Sequence, residues 1–177
     1  MKSLHRTIYK RGEIKMIKLV RLDHRLLHGQ VGCTWSQNIG ADCILIASDG
    51  VAGDDLRKTT YALAKPVGIK LVVKNVADSI RSINSGVTDK YKLLVLVEDI
   101  DSLYRLASGC PQITAINLGG LKQREGSYPI SGTVFITKDE GLQLQELLKM
   151  GKEMSLQQVP TETPIKVTES MLTNLHR

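Results

Sequence analysis

The sequence predicts a three-layer α/β/α domain built on a mainly parallel central sheet of about seven strands. From Met16 onward, short β-branched and aliphatic runs alternate with longer segments of helical period, the pattern of repeated strand and helix units. Two of those runs, residues 43–47 and 92–97, are apolar on both faces, as strands covered by helices on both sides must be. A length of 177 residues, 42% apolar and 24% charged, suits one domain with a sizeable core.

The elements follow in order. Ile17, Leu19 and Val20 mark a first strand at 17–21, and a helix is expected at 29–38, opening on Gly29. After the strand at 43–47, Asp54 is placed to cap a helix at 54–64, which Pro66 ends. A strand at 69–73 leads to a helix at 75–84, and the strand at 92–97 to a helix at 100–107. Strands at 113–117 and 133–136 flank the longest irregular stretch, 119–131, which holds Gly119, Gly120, Gly126 and Pro129. That stretch is a candidate functional loop, although a plain surface connection has the same composition. Thr137 precedes Lys138, Asp139 and Glu140, a cap with acids at the positive end of a helix at 138–149. A last strand is expected at 155–159, and the tail, punctuated by Pro160 and Pro164, has room for a helical turn at 170–175. Nothing interrupts residues 16–177, which read as a single domain preceded by a basic leader, 1–15, for which no structure is expected.

Composition excludes several classes. No apolar run approaches the ~20 residues a membrane helix needs, and the charged stretch from Lys2 to Lys15 is not followed by the long apolar core of a signal peptide. A cytoplasmic protein is therefore expected. Cys33, Cys43 and Cys110 form an odd set without CxxC or zinc-type spacing, so neither a disulfide framework nor a metal site is indicated. The formal charge of +6 raises the possibility of a nucleic-acid binder, but five basic residues and one acid in the leader leave only 19 basic against 17 acidic for the rest. Aromatic content is 4%, with no basic run interleaved with aromatics for stacking on bases.

Chemistry concentrates directly after the first strand, in Arg21-Leu22-Asp23-His24-Arg25-Leu26-Leu27-His28-Gly29-Gln30-Val31. In a parallel sheet this is the carboxyl edge, where ligands bind. The free N–H groups of Gly29, Gln30 and Val31 at a helix start favour a dianionic phosphoryl group beside His28. Arg21 and Arg25 supply donors and positive charge for its equatorial oxygens. A neutral imidazole is a competent nucleophile near pH 7, and Asp23 can take the proton of one ring nitrogen so that the other attacks. An ion-pair network that merely holds a loop would use the same residue types.

The same residues carry a family resemblance. The chain resembles the IIB component of the mannose/fructose/sorbose family of the bacterial sugar phosphotransferase system, whose chains open with a strand followed by Arg-x-Asp-x-Arg-Leu-x-His-Gly-Gln-Val. Residues 21–31 match at every fixed position. The resemblance continues through Trp35, Ser48-Asp49, Arg57-Lys58-Thr59 and Ile116-Asn117-Leu118-Gly119-Gly120 to Arg124, and covers Met16 to about Leu175.

The resemblance implies a phosphocarrier enzyme that accepts a phosphoryl group from the phosphohistidine of a IIA domain. His28 would be the nucleophile and carrier, with Nδ1 as the expected atom, and would pass the group to a hexose hydroxyl while membrane IIC and IID subunits translocate the sugar. Arg25 and Arg21 would stabilise the phosphoryl charge, Asp23 would orient the imidazole, and Arg124 would close over the phosphate. Asn117 and the amides of Gly119 and Gly120 would line the pocket, although close backbone packing explains the glycines equally well. No cofactor and no metal is expected, and the place of work would be the cytoplasmic side of the membrane transporter. The family often has a second aspartate where this chain has His24, which removes a negative charge beside the phosphate. The identity of the sugar is left open, as is the oligomeric state, with a homodimer among the options.

Other classes keep the same residues in play. A regulatory phosphoprotein of this fold would be phosphorylated on His28 without a sugar acceptor, and a nucleic-acid binder would depend on the basic leader. Cysteine-based phosphocarriers are disfavoured because Cys33 falls within a predicted helix. Lys10 to Lys15 can be encoded by a purine-rich run of ribosome-binding type just ahead of Met16, so Met16 is the expected initiator.

Overall fold

In the computed structural model, which describes residues 16–175, side-chain alternation sorts the core onto two faces of one sheet. The strands are β1 (Ile17–Asp23), β2 (Cys43–Ala47), β3 (Lys70–Lys74), β4 (Leu93–Val97), β5 (Ala115–Gly120), β6 (Tyr128–Pro129), β7 (Phe135–Ile136), β8 (Glu153–Leu156) and β9 (Ile165–Lys166). The helices are α1 (Gly29–Asn38), α2 (Asp49–Ala52), α3 (Asp55–Ala64), α4 (Val76–Asn84), α5 (Ile100–Gly109), α6 (Lys138–Lys149) and α7 (Glu169–Thr173). Seven strands form the main sheet in the order β3-β2-β4-β1-β5-β8-β9, parallel throughout except for the β8–β9 pair. The expected fold class is therefore the one observed. The leader, residues 1–15, lies outside the described residues.

From β1 the chain crosses to β2 and then β3 on one side, returns to β4, and from β5 continues to the other side. Right-handed crossovers place α1 and α3 on one face and α4, α5 and α6 on the other. Leu26, Trp35, Ile44, Ile46, Leu94 and Leu96 pack together on the first face, with Tyr61 of α3 against them. Leu45, Val95 and Val97 point the other way, onto Ile100, Leu103 and Leu144. Strands β2 and β4 are buried at every position, which is why their sequence shows no polar alternation.

The caps expected at Asp54 and Thr137 are observed, and Asn75 and Asp99 cap two further helices. Asp54, Asn75, Asp99 and Thr137 each accept a first-turn N–H, and Thr137 with Glu140 completes a capping box. Lys65, ahead of Pro66, turns extended and ends α3.

Two expectations need correction. Residues 133–136 do not join the central sheet: Phe135 and Ile136 pair with Tyr128 and Pro129 in a separate two-stranded antiparallel ladder. The seventh place belongs to β9, a two-residue strand between Pro164 and Val167 in the tail, whose Val167 N–H donates to Met154 O at 2.9 Å. So short a strand has no period to read. In addition, β1 runs on to Asp23, so the acidic residue of the motif belongs to the strand itself. Among the described residues, no helix is long and apolar enough to cross a membrane.

Candidate active site

β1 lies at the middle of the sheet between β4 and β5. The connections leaving β1 and β4 run to opposite sides there, so the carboxyl end of β1 sits in the crevice where open α/β sheets hold ligands. Register puts Arg21 beside Leu96 on one side and Asn117 on the other, so both polar side chains face α1.

Arg21 is 2% exposed, and its terminal N–H groups are committed inward. Nη1 donates to Asn117 Oδ1 at 2.5 Å and to Gln157 O at 3.0 Å, while Nη2 donates to Asp23 Oδ2 at 3.0 Å and to Gln158 O at 3.1 Å. Burial pulls the guanidinium below its ordinary pKa, and the neighbouring Asp23 carboxylate acts against that pull. A Cβ at Gly119 would fall 2.0 Å from Arg21 Cζ, so the glycine is required by this close approach. Asn117 is equally buried and donates from Nδ2 to Gln157 O at 3.2 Å. The expected phosphate ligand Arg21 and pocket residue Asn117 thus form a floor beneath the crevice, because both lie on the strand side chains that point into the protein.

Asp23 joins this floor to the surface. Oδ2 faces His28 Nε2 at 3.3 Å, and Oδ1 accepts the Arg25 backbone N–H at 3.1 Å, with Arg25 Nε 3.8 Å away. The chain then turns tightly: Leu26 N–H donates to Asp23 O at 2.8 Å, and Leu26 sits at φ +55°, the left-handed region. Such a conformation costs about 1–3 kcal/mol in a non-glycine residue. Burial of Leu26 and Leu27, each 2% exposed, offsets it. Tyr61 of α3 donates to Arg25 O at 3.4 Å and ties the turn to its neighbour helix.

His28 is the N-cap of α1, extended at φ −148° and ψ 144°, and its side chain makes no capping hydrogen bond. Ser, Thr, Asp or Asn at that place would occupy a first-turn donor; the His28 side chain does not. Gly29 follows at φ +38°, a conformation suited to glycine, with nothing within 4 Å of a Cβ there. The His28 side chain is 20% exposed and that of Arg25 53%, so both are within reach of a ligand.

His24 and Arg124 are not brought into this network. His24 N–H donates to Gly120 O at 2.9 Å, while its buried Nδ1 has no hydrogen-bond partner. Arg124 is held at the amino end of α6, paired with Glu140 and donating from Nη1 to Phe135 O at 3.2 Å.

Sequence reasoning missed the main-chain acceptors Gln157 and Gln158, since a carbonyl carries no side-chain signature. It also gave Trp35 no role, although the one tryptophan of the chain, seven residues after His28, was a usable signal. A second polar group lies at the same sheet edge, where Glu98 accepts from Ser48 Oγ and from Arg57 Nη2 at 2.8 Å. The Glu98 hydrogen bond raises the Arg57 pKa. Among the described residues, no group of three His, Cys, Asp or Glu is placed to hold a metal ion.

A family model described as PTS system sorbose subfamily IIB component matches residues 17–176. The PTS system sorbose-specific EIIB component of Lacticaseibacillus casei is 33% identical over 147 residues, covering 83% of this chain and 90% of that protein. The PTS system mannose-specific EIIAB component of Escherichia coli K12 is 30% identical over 158 residues, 89% of this chain. The match covers 49% of that protein, so the chain spans about half the length of this curated relative. Among solved structures, the IIBSor domain of the sorbose permease from Klebsiella pneumoniae superposes with a TM-score of 0.83 at 25% identity, over 90% of this chain and 98% of that one. The N-acetylgalactosamine-specific IIB component 1 of Escherichia coli gives 0.80 at 26% identity, over 86% and 99%. The motif of residues 21–31, the sheet that presents it and these matches agree: the chain belongs to the sorbose subfamily of phosphotransferase-system IIB components, in the mannose/fructose/sorbose family.

Proposed function

We propose that this chain is a phosphocarrier that takes a phosphoryl group from a IIA phosphohistidine onto His28 Nδ1 and passes it to a sugar hydroxyl at membrane IIC and IID subunits. The observation that supports this reading is the contact of His28 Nε2 with Asp23 Oδ2 at 3.3 Å, which leaves Nδ1 as the free ring nitrogen. With Nε2–H donated to the carboxylate, the Nδ1 lone pair attacks phosphorus. The bond to the donor nitrogen breaks, and its electron pair returns to that imidazole. Positive charge building on the His28 ring is met by Asp23, itself held by Arg21.

The equatorial oxygens fall to the first-turn amides of α1 and to the exposed Arg25 guanidinium. Arg21 acts as a positioning residue, through Asp23. Arg124 would reach the phosphate only by leaving Glu140. In the second transfer the sugar hydroxyl attacks phosphorus, its proton is released, and the N–P electron pair returns to Nδ1. The place of work is the cytoplasmic face of the transporter.

Incubation with the purified general phosphocarrier, its kinase and a IIA chain tests the reading. Acid-labile phosphate is expected on the wild type and on His24→Ala, and is lost in His28→Ala. Label retained in His28→Ala would overturn it.

A further inference from the structure

The outermost strand on the β2 side, β3, pairs with β2 alone. Lys70 N–H donates to Asp42 O at 3.0 Å, and Ser48 N–H donates to Lys74 O at 3.0 Å, so these two residues turn their backbone groups inward. By the two-residue period of a strand, Val72 does the same, and the N–H and C=O groups of Leu71 and Val73 face outward. Among the described residues, no strand pairs with that edge.

Beside the edge, on the face covered by α4, lies a cleft of about 260 Å³. Val72, Val87 and Leu93 give it apolar walls, and Lys70, Lys74 and Lys90 line it with charge. No aspartate or glutamate is among its lining residues. Among the described residues none of the three lysines pairs with a carboxylate; Lys70 Nζ instead donates to Tyr91 Oη at 2.8 Å, and the Lys90 ammonium lies 5.3 Å from the same ring centroid. An unpaired strand edge, an apolar cleft next to it and unneutralised cations at both ends of the strand therefore coincide.

We propose that β3 is a docking edge for an extended acidic segment of a partner protein, which adds to the sheet as a further strand. Leu71 and Val73 supply the main-chain hydrogen bonds. On the α4 face the incoming segment presents acid, apolar and acid at alternate positions, with carboxylates at Lys70 and Lys74 and the apolar side chain over Val72 toward the cleft.

Charge decides among occupants. A second copy pairing antiparallel about Val72 would set Lys70 against Lys74 twice, a like-charge arrangement that destabilises cross-strand pairs. Residues 1–15, with five basic side chains and one acid, carry the same mismatch. Lysines that only guard the edge against aggregation would bind nothing.

Titration of the ¹⁵N-labelled full chain with a blocked Glu-Thr-Val-Thr-Glu peptide tests the docking edge, with Lys-Thr-Val-Thr-Lys as the counterpart. Saturable shifts of the Leu71 and Val73 amides at millimolar peptide, with slowed solvent exchange of both N–H groups, are expected for the acidic peptide only. The double variant Lys70→Glu with Lys74→Glu should keep the remaining spectrum and reverse the preference toward the lysine peptide. No shift at millimolar peptide, an equal response to both peptides, or lysine shifts without protection at Leu71 and Val73 would each overturn the proposal, the last pointing to a small-anion site.

Discussion

The Arg21 guanidinium lies over the Trp35 indole, 5.1 Å from its centroid, and both side chains donate to the Gln158 carbonyl, the indole at 3.1 Å and Arg21 Nη2 at 3.1 Å. A buried cation is thereby held by a ring face, two carbonyls, an amide oxygen and a carboxylate. The β8–β9 connection is fastened to the floor of the crevice in the same stroke. Its own acid, Glu162, accepts the Gln158 N–H at 3.0 Å.

Trp35→Phe keeps the ring face and deletes the indole N–H, while the Gln158 carbonyl retains Arg21. A loss of about 1 kcal/mol in denaturant unfolding is expected. Trp35→Ala opens a void over the guanidinium and should cost about 3–5 kcal/mol. The rate of phosphorylation by the IIA donor should fall further in Trp35→Ala than in Trp35→Phe.

Removing one member of the Arg21–Asp23 pair strands the other. Asp23→Leu alone leaves a buried, uncompensated guanidinium and should destabilise by about 3–5 kcal/mol. Combined with Arg21→Met, the same change should recover most of that stability in urea unfolding and still transfer no phosphate, because nothing then holds His28 Nε2.

Gly119→Ala places a Cβ 2.0 Å from Arg21 Cζ. The guanidinium cannot yield without leaving Asn117 or Asp23, so a loss of about 1–3 kcal/mol is expected, with slower phosphorylation. Gly126→Ala, with φ +72° but open space around it, should lower stability without slowing phosphoryl transfer.

How much of this was legible follows from where each residue gets its constraint. The helix bounds at 29–38 and 138–149 follow from local signals, a glycine after the strand and a Thr–Glu capping box, and they are observed unchanged. The pairing of His28 with the Asp23 carboxylate was legible because the two lie five residues apart in one short segment. The inward commitment of Arg21 was not, since its partners sit up to 137 residues away and two of them are main-chain carbonyls. Arg124 was read toward the phosphate, whereas the structure pairs it with Glu140, an acid whose capping role on α6 brings it within reach.

The buried thiols should contribute less to stability as pH turns alkaline. Burial pushes the Cys110 thiol up to about 11, and burial also raises Cys43. Below the unfolded thiol value of 9.0 this contribution to stability is complete. As pH rises toward 11 the unfolded chain releases a proton that the folded chain retains, so this contribution falls. Between pH 9 and 11 the urea midpoint should change with a more negative slope in the wild type than in Cys110→Ala, a comparison that isolates the thiol from the opposing effect of Lys152, whose burial lowers its pKa. An unchanged slope in that variant would remove Cys110 from the effect.

The nitrogen that carries phosphate tests the central claim most directly. In a two-dimensional ¹H–¹⁵N spectrum of histidine side chains, recorded after phosphorylation by the IIA donor, His28 should show phosphorus coupling at Nδ1 and a protonated Nε2 facing Asp23. Coupling at His28 Nε2, or phosphate on His24, would contradict it.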